Sequence, residues 1–471
     1  MEQIKHYKAL AFDFDGTLFD TKELNYKAYK LAYWDLGVEI NREMFAKTNG
    51  LGVYAFNDAM GVKCDVEELR ELKQRYYKDM VLYAKPNEYL LNLIRECKLP
   101  KMLVTTARRS NILPLLESYD LERHFCKIVT QEDVGTVCKP SPLAYELALN
   151  SLENIKVNEV LAFEDSRPGF VSARRAGLDC VMVCEFQSDC IRDMSGGSGV
   201  KTQLKWNERE NGLEVVKTAV DDYTRVRLEN QREFIIHNPS LSVTVLSHDD
   251  WSYSMPYVIG TSVYEYQNRI AVLPKVIETV YNKSKISNVL KRDIRCDMFE
   301  LYINPGIEVY EKITGKNVYE DCGFGIVTHN DIPDFVNCYR EGVCHGDTTL
   351  ENILVKRDGE IVLIDPVPEN TVHGVVHDFS KILQSLYGYE FRRDNGFIDD
   401  EEYVVERKIF NEQAKKYLSI AEFDMLKFLT SCLYFRRLRH QIKQNPELVR
   451  PYGDVAIRLM NEFLNGDYTI R

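Results

Sequence analysis

Four short, mostly apolar runs separated by amphipathic stretches constrain the first 185 or so residues more than any other feature. Tyr7–Phe14, Lys101–Thr106, Val160–Phe163 and Cys180–Val183 each have the length of one strand. Strands without a regular polar alternate are buried on both faces, so this pattern belongs to a parallel sheet wrapped by helices. Residues 21 to about 85 carry a helical spacing of their own, as in Leu69, Leu72, Tyr76 and Met80, directly after the first strand. An insertion there stands over the carboxyl end of the strand, where open α/β sheets bind ligands, and is expected to form a cap.

The stretch Asp193-Met194-Ser195-Gly196-Gly197-Ser198-Gly199 breaks this pattern. Hairpin-like strands follow at Val200–Trp206, Leu213–Thr218, Ser242–Leu246 and Tyr257–Tyr264, then a helical finish from Glu401 to Asn465. A chain of 471 residues is long enough for two or three domains. We expect one at residues 1–187 and another at 188–471. The 60 basic and 72 acidic residues give a net charge of −12, which disfavours a nucleic-acid partner. No apolar run has the ~18 residues of a membrane span, and Met1–His6 have no leader-like pattern, so no membrane insertion is expected. The 12 cysteines include no CxxC pair, as expected of reduced thiols in a cytoplasmic protein.

Asp13-Phe14-Asp15-Gly16-Thr17 lies where the first strand meets a turn. Two aspartates on one side of a strand end suit carboxylate attack on phosphorus, the first as nucleophile and the second as acid and base. Thr105-Thr106 ends a second strand and offers hydroxyls to a phosphate. Lys139 supplies a cation, and Glu164-Asp165 offers carboxylates for Mg2+. In this order the motifs resemble the haloacid dehalogenase-type phosphatases that carry a helical cap (21–85). The resemblance implies Asp13 as nucleophile and Asp15 as general acid/base. It implies Thr106, with Thr105 as the alternative, and Lys139 as phosphate ligands, and Asp13, Asp15 (through its carbonyl), Glu164 and Asp165 around Mg2+. The Glu-Asp pair also resembles the β-phosphoglucomutase branch, which leaves a mutase as the alternative.

A second constellation runs from His345-Gly346-Asp347 through Asn352 to Ile361-Val362-Leu363-Ile364-Asp365. A carboxylate that takes a hydroxyl proton, with an amide and a second carboxylate for Mg2+, is what phosphoryl transfer from ATP needs. The pattern resembles the aminoglycoside phosphotransferase and choline kinase group. It implies Asp347 as catalytic base, Asn352 and Asp365 as metal ligands, and Asp378 as a support for the loop. It also implies a small lobe at 188–266 and a large lobe at 267–471. Gly196, Gly197 and Gly199 would cover ATP phosphates, and Lys217 would pair with Glu233 or Glu229. A plain interdomain linker is the other reading of the glycines. A P-loop is excluded, since Val200 interrupts Gly-Lys-Thr. Arg436-Arg437-Leu438-Arg439-His440 reads as a solvated helix face or, alternatively, a site for an anionic substrate.

The fold class is therefore α/β: a doubly wound parallel sheet with a helical cap, followed by a two-lobed, α+β, protein-kinase-like domain. The expected function is bifunctional: Mg2+-dependent hydrolysis of a small phosphate ester, and ATP-dependent phosphorylation of a hydroxyl acceptor. That acceptor is expected to be a sugar or polyol, as in surface-polysaccharide precursors. One half acting as a non-catalytic regulator is the remaining alternative, although neither half lacks an expected catalytic residue.

Overall fold

The computed structural model describes residues 4–48, 53–184, 186–195, 199–290, 293–395, 403–468 and 470. Its chain divides into two compact units, Ile4–Thr218 and Ala219–Arg471.

In the first unit, five strands form one sheet in the order Lys127–Val129, Lys101–Val104, Ala9–Phe12, Val160–Glu164, Asp179–Met182. Every neighbouring pair is parallel, with Phe12 opposite Leu103 on one side and Phe163 on the other. The three central strands are buried along their whole length, which is why their sequences show no polar alternate. The chain leaves the central strand toward both sides of the sheet, so the switch point lies at the carboxyl end of Ala9–Phe12.

The cap comprises the helices Lys22–Asp35, Arg42–Thr48, Val53–Met60 and Val66–Met80. Tyr29 stacks on Phe56 at 4.2 Å, and Leu69 is buried with them in a separate small core. The helix Val66–Met80 starts sharply because Asp65 accepts the N–H groups of Glu67 and Glu68.

The boundary expected after residue 187 falls inside this unit. The strands Val200–Asn207 and Gly212–Ala219 are joined by a turn at residues 208–211, and this hairpin is pinned to the sheet domain. Tyr7 donates its N–H to the Asn211 carbonyl at 2.8 Å, and the Trp206 N–H donates to the Tyr89 hydroxyl at 2.9 Å. Arg192–Asp193 pairs antiparallel with Val200–Asn207.

In the second unit, Gly260–Ser262, Ile353–Lys356 and Ile361–Leu363 form an antiparallel sheet. The expected strand Ser242–Leu246 is instead irregular, because Leu241 and Val243 are anchored in the core while Ser247–His248 does the pairing. Of the stretch Tyr257–Tyr264 only Gly260–Ser262 is a strand, and a separate strand, Ser252–Pro256, precedes it. The core is helical. Val375–Leu386 is buried on nearly every face, and Leu426–Gln444 packs with Val449–Leu464, where Phe428 meets Phe463 at 5.3 Å. Among the described residues no helix is long and apolar enough to cross a membrane. All twelve cysteines are free.

Candidate functional site

Asp13 is the first residue past the central strand, and its N–H still donates to the Phe163 carbonyl at 3.0 Å. The chain must then turn away at once. Gly16 allows this at φ +79°, where a Cβ would overlap the Asp165 carboxylate. That turn brings together the ends of the first and fourth sheet strands in chain order. Ligand atoms of Asp13, Glu164 and Asp165 lie within 4.8 Å of one another. Lys139 sits among them, donating to Asp13 Oδ1 at 2.6 Å, Glu164 Oε1 at 2.6 Å and the Val104 carbonyl at 3.0 Å. Thr17 donates to Asp13 Oδ2 at 3.1 Å, and the Tyr145 hydroxyl to Glu164 Oε1 at 2.6 Å.

The electrostatics follow from this crowding. Burial, and then the neighbouring carboxylates, push the acids of Glu164 and Asp165 up, with Lys139 opposing. Burial disfavours the Lys139 ammonium, yet Asp13 and Glu164 prevail and hold its pKa above the ordinary lysine value. Glu164 Oε2 is buried without a partner. An unsatisfied oxygen beside two more carboxylates, with one lysine to balance three acids, is a donor set suited to Mg2+. Asp13, Glu164 and Asp165 are the residues that would hold it.

Asp15 faces the cap side. Thr21 donates to its Oδ1 at 2.6 Å and the Tyr77 hydroxyl at 3.3 Å. Its acid is raised by burial first, and further by Asp13. Lys73 is pushed down to about 8 by burial, with Asp15 opposing, and lies 4.4 Å from the Tyr77 ring. Thr105 and Thr106 both line the cavity of about 210 Å³ over these groups. Thr105 is buried and accepts the Ala107 N–H at 3.0 Å. Cap residues Thr21, Arg70, Lys73 and Tyr77 also line it and were missed by the motif reading. The available signal was the spacing of Arg70, Lys73 and Tyr77 on one face of the helix Val66–Met80.

The second constellation lies within the second unit. Asn352 Nδ2 donates to the Asp347 carbonyl and to its Oδ2, both at 3.0 Å. Lys381 Nζ is 3.1 Å from Asp347 Oδ1. Burial raises the Asp347 acid, but Lys381 outweighs it and holds the group below the usual carboxylate range. Asp378 accepts the N–H groups of His345 at 2.9 Å and Gly346 at 2.7 Å, and its acid is pushed up to about 7 by burial. The Ile364 N–H donates to the Asn352 carbonyl at 3.0 Å, and Asp365 follows with φ +57°. Burial holds the His345 imidazole down to about 4, with Asp347 and Asp365 opposing.

The expected upstream residues are less clear-cut. Gly196 and Gly197 lie outside the described residues; Gly199 has φ +73° just before the strand Val200–Asn207. Lys217 is buried on the strand Gly212–Ala219. Glu233 is turned outward, 3.0 Å from Arg232, and Glu229 lies 3.7 Å from the same arginine. Buried Leu228 and Ile235 set the inner face of the helix Asp222–His237, and Gln231 shares it. Gln231 accepts the Tyr253 hydroxyl at 2.7 Å and donates to the Pro366 carbonyl at 2.7 Å, next to Asp365.

A capped, doubly wound sheet with paired aspartates, a buried lysine and an acidic metal cluster at its strand ends defines a phosphoryl-transfer hydrolase. The family model for haloacid dehalogenase-like hydrolase matches residues 10–183. YhcW of Bacillus subtilis (strain 168) is 34% identical over 184 residues, spanning 37% of this chain and 83% of that protein. The phosphorylated carbohydrates phosphatase of Thermotoga maritima is 27% identical over 180 residues, covering 36% and 82%. The phosphoglycolate phosphatase of Yersinia pestis is 29% identical over 194 residues, covering 38% and 82%. The chain belongs to the haloacid dehalogenase-like hydrolases, and the matched region is a phosphatase domain.

Proposed function

We propose that the chain is a bifunctional enzyme. Residues 1–187 hydrolyse a small phosphate ester, such as a phosphorylated sugar, and residues 188–471 phosphorylate a hydroxyl of a small metabolite with ATP. The reading of the second half is supported by the Asn352–Asp347 hydrogen bond on a loop fixed by buried Asp378, with the Ile364 N–H, one residue before Asp365, donating to the Asn352 carbonyl.

In the first site Asp13 attacks phosphorus, forming an aspartyl-phosphate, while Asp15 protonates the leaving ester oxygen. Thr21 and Tyr77 keep the Asp15 carboxyl aimed. Asp15 then takes a proton from water, which attacks the phosphorus and frees phosphate and Asp13. Lys139 and Thr106 would hold the phosphate oxygens, with Thr105 alongside. Bound Mg2+ supplies charge neutralisation between the carboxylates and the phosphate.

In the second site Asp347 accepts the acceptor's hydroxyl proton. The new O–P bond forms as the bond from the γ-phosphorus to ADP breaks. Asn352 donates its Nδ2 to Asp347, and its Oδ1 and the Asp365 carboxylate are the groups that would hold Mg2+ and supply charge neutralisation at the ATP phosphates. Glu233 faces outward, and Gln231 holds the inward position on its helix. The two activities would cancel at a single ester position, so they act on different positions or successive compounds.

Full-length Asp13→Asn should lose ester hydrolysis by at least about a hundredfold and keep ATP consumption, with Asp347→Asn doing the reverse. Initial rates of phosphate release and ADP formation, followed separately, check this. Either variant retaining both activities would refute the assignment.

A further inference from the structure

Cations gather around the catalytic carboxylate of the second site from elements that carry none of its metal ligands. Asn352 and Asp365 belong to the hairpin region, whereas Lys381 comes from the helix Val375–Leu386 and Arg436 and Arg437 from Leu426–Gln444. Lys381 already touches Asp347 at 3.1 Å. Arg436 Nη1 donates to Asn370 Oδ1 at 3.4 Å, and Asn370 Nδ2 donates to the Gly346 carbonyl at 3.3 Å, one residue before Asp347. The Arg436 guanidinium lies 5.3 Å from the Tyr302 ring and that of Arg437 5.6 Å from the Tyr389 ring. Arg437 Nε is buried with no hydrogen-bond partner.

The neighbouring carboxylates are already engaged. Glu351 is held by Arg393 at 2.9 and 2.5 Å, Asp378 by two backbone N–H groups, and Glu390 by the Ser385 hydroxyl at 2.6 Å. Among the described residues no carboxylate pairs with Arg436 or Arg437. The local field is positive enough that His377 is held down to about 3 by burial and then by Lys381 and Arg436. His440 is likewise lowered by burial and then by Arg437 and Arg436. Half-buried guanidinium groups with neutral partners are costly, and an anionic ligand relieves that cost through paired, charge-assisted hydrogen bonds.

We propose that the hydroxyl acceptor of the second site carries an anionic group of its own, a phosphate or a carboxylate, held by Arg436 and Arg437. This rests on the kinase reading of that site. Lys381, in contact with Asp347, is a positioning residue for that carboxylate. The chemistry is that given above: the hydroxyl proton passes to Asp347, the acceptor oxygen bonds the γ-phosphorus, and ADP departs with the electrons of the broken bond. The cluster that reads from sequence alone as a solvated face is thus split, with Arg439 and His440 exposed, Arg436 and Arg437 half-buried, and Arg436 linked to the loop through Asn370.

The test measures initial ADP formation by the full chain with matched acceptors: glucose, glucose 6-phosphate and gluconate; glycerol, glycerol 3-phosphate and glycerate. Anionic members should have KM values lower by about tenfold or more than their neutral parents, and the phosphate and carboxylate arms identify the favoured group. Arg436→Gln and Arg437→Gln should each raise the anionic acceptor's KM about tenfold. The KM for ATP and the rate with neutral acceptors should not change. Arg436→Lys should recover part of the loss. Hydrolysis of p-nitrophenyl phosphate by the same preparations reports the folded first unit, and thermal melting reports the second. Neutral acceptors performing as well as anionic ones would overturn the proposal, as would a shift confined to the KM for ATP. ADP formation that depends on no acceptor at all would instead overturn the kinase reading itself, and the anionic subsite with it.

Discussion

Lys139 offers the sharpest test of how the phosphatase site is held together. Its ammonium is 2.6 Å from both Asp13 and Glu164, with side-chain exposures of 6% for the lysine, 9% for Asp13 and 0% for Glu164. Replacing it in Lys139→Met keeps the apolar stem and removes the charge. At an effective dielectric near 20, each such contact is worth about 4 kcal/mol of Coulomb energy, and losing two is offset by no longer burying the ammonium. The expected net cost is about 3–5 kcal/mol, the range for a buried pair that loses one partner. The double variant Lys139→Met/Glu164→Gln removes one of the two stranded carboxylates. It should recover about 1–3 kcal/mol while hydrolysis stays abolished, since the phosphate-binding cation is still missing. Urea unfolding followed by circular dichroism, with EDTA present so that no divalent ion replaces the ammonium, measures both variants. Lys139→Met unfolding at the wild-type urea concentration, or no recovery in the double variant, would refute the claim that Lys139 balances these acids.

Gly16→Ala should reduce hydrolysis at least about a hundredfold and cost about 1–3 kcal/mol, because a Cβ at φ +79° overlaps the Asp165 carboxylate. Phosphate release and unfolding of the same preparation check it, and an active, stable variant would exclude the close approach. Glu390 is fully buried, with Oε2 unpartnered and its acid raised by burial from 4.5 to about 7. A raised acid means the native state binds the proton more tightly, so this group's contribution is intact below pH 4.5 and falls away as pH rises toward 7. Glu390→Gln should therefore gain about 3 kcal/mol relative to wild type between pH 4.5 and pH 8. Calorimetric melting of the second unit across that range reads the difference, and a pH-independent offset would contradict it.

Much of the first unit was legible because its chemistry lies at strand ends. Once the apolar runs locate the strands, parallel topology brings Asp13, Thr105, Glu164 and Asp165 to one edge of the sheet, whatever residues lie between. In the second unit the proposed catalytic loop is compact for a different reason. Asp347 and Asn352 are close in sequence, and a hairpin with only a tight turn returns the chain to Asp365.

Positions that depend on which way a helix faces were not legible in this way. Glu229 and Glu233 are the acidic residues of Asp222–His237 that suit an ion pair, but Leu228 and Ile235 decide its inner face, and Gln231 is the polar residue that shares it. Spacing gives the angle between residues; only the core that buries Leu228 gives the origin from which it is measured. The same holds for Arg70, Lys73 and Tyr77, which read as one more charged helical stripe until Tyr77 is seen bonded to Asp15. Arg436 and Arg437 complete the pattern. Adjacent on a helix, they point about 100° apart, and each guanidinium lies over a different ring, Arg436 over Tyr302 and Arg437 over Tyr389. The direction of a charged side chain is thus fixed by apolar neighbours that the helical spacing alone does not name, and the proposed anionic subsite rests on those two rings.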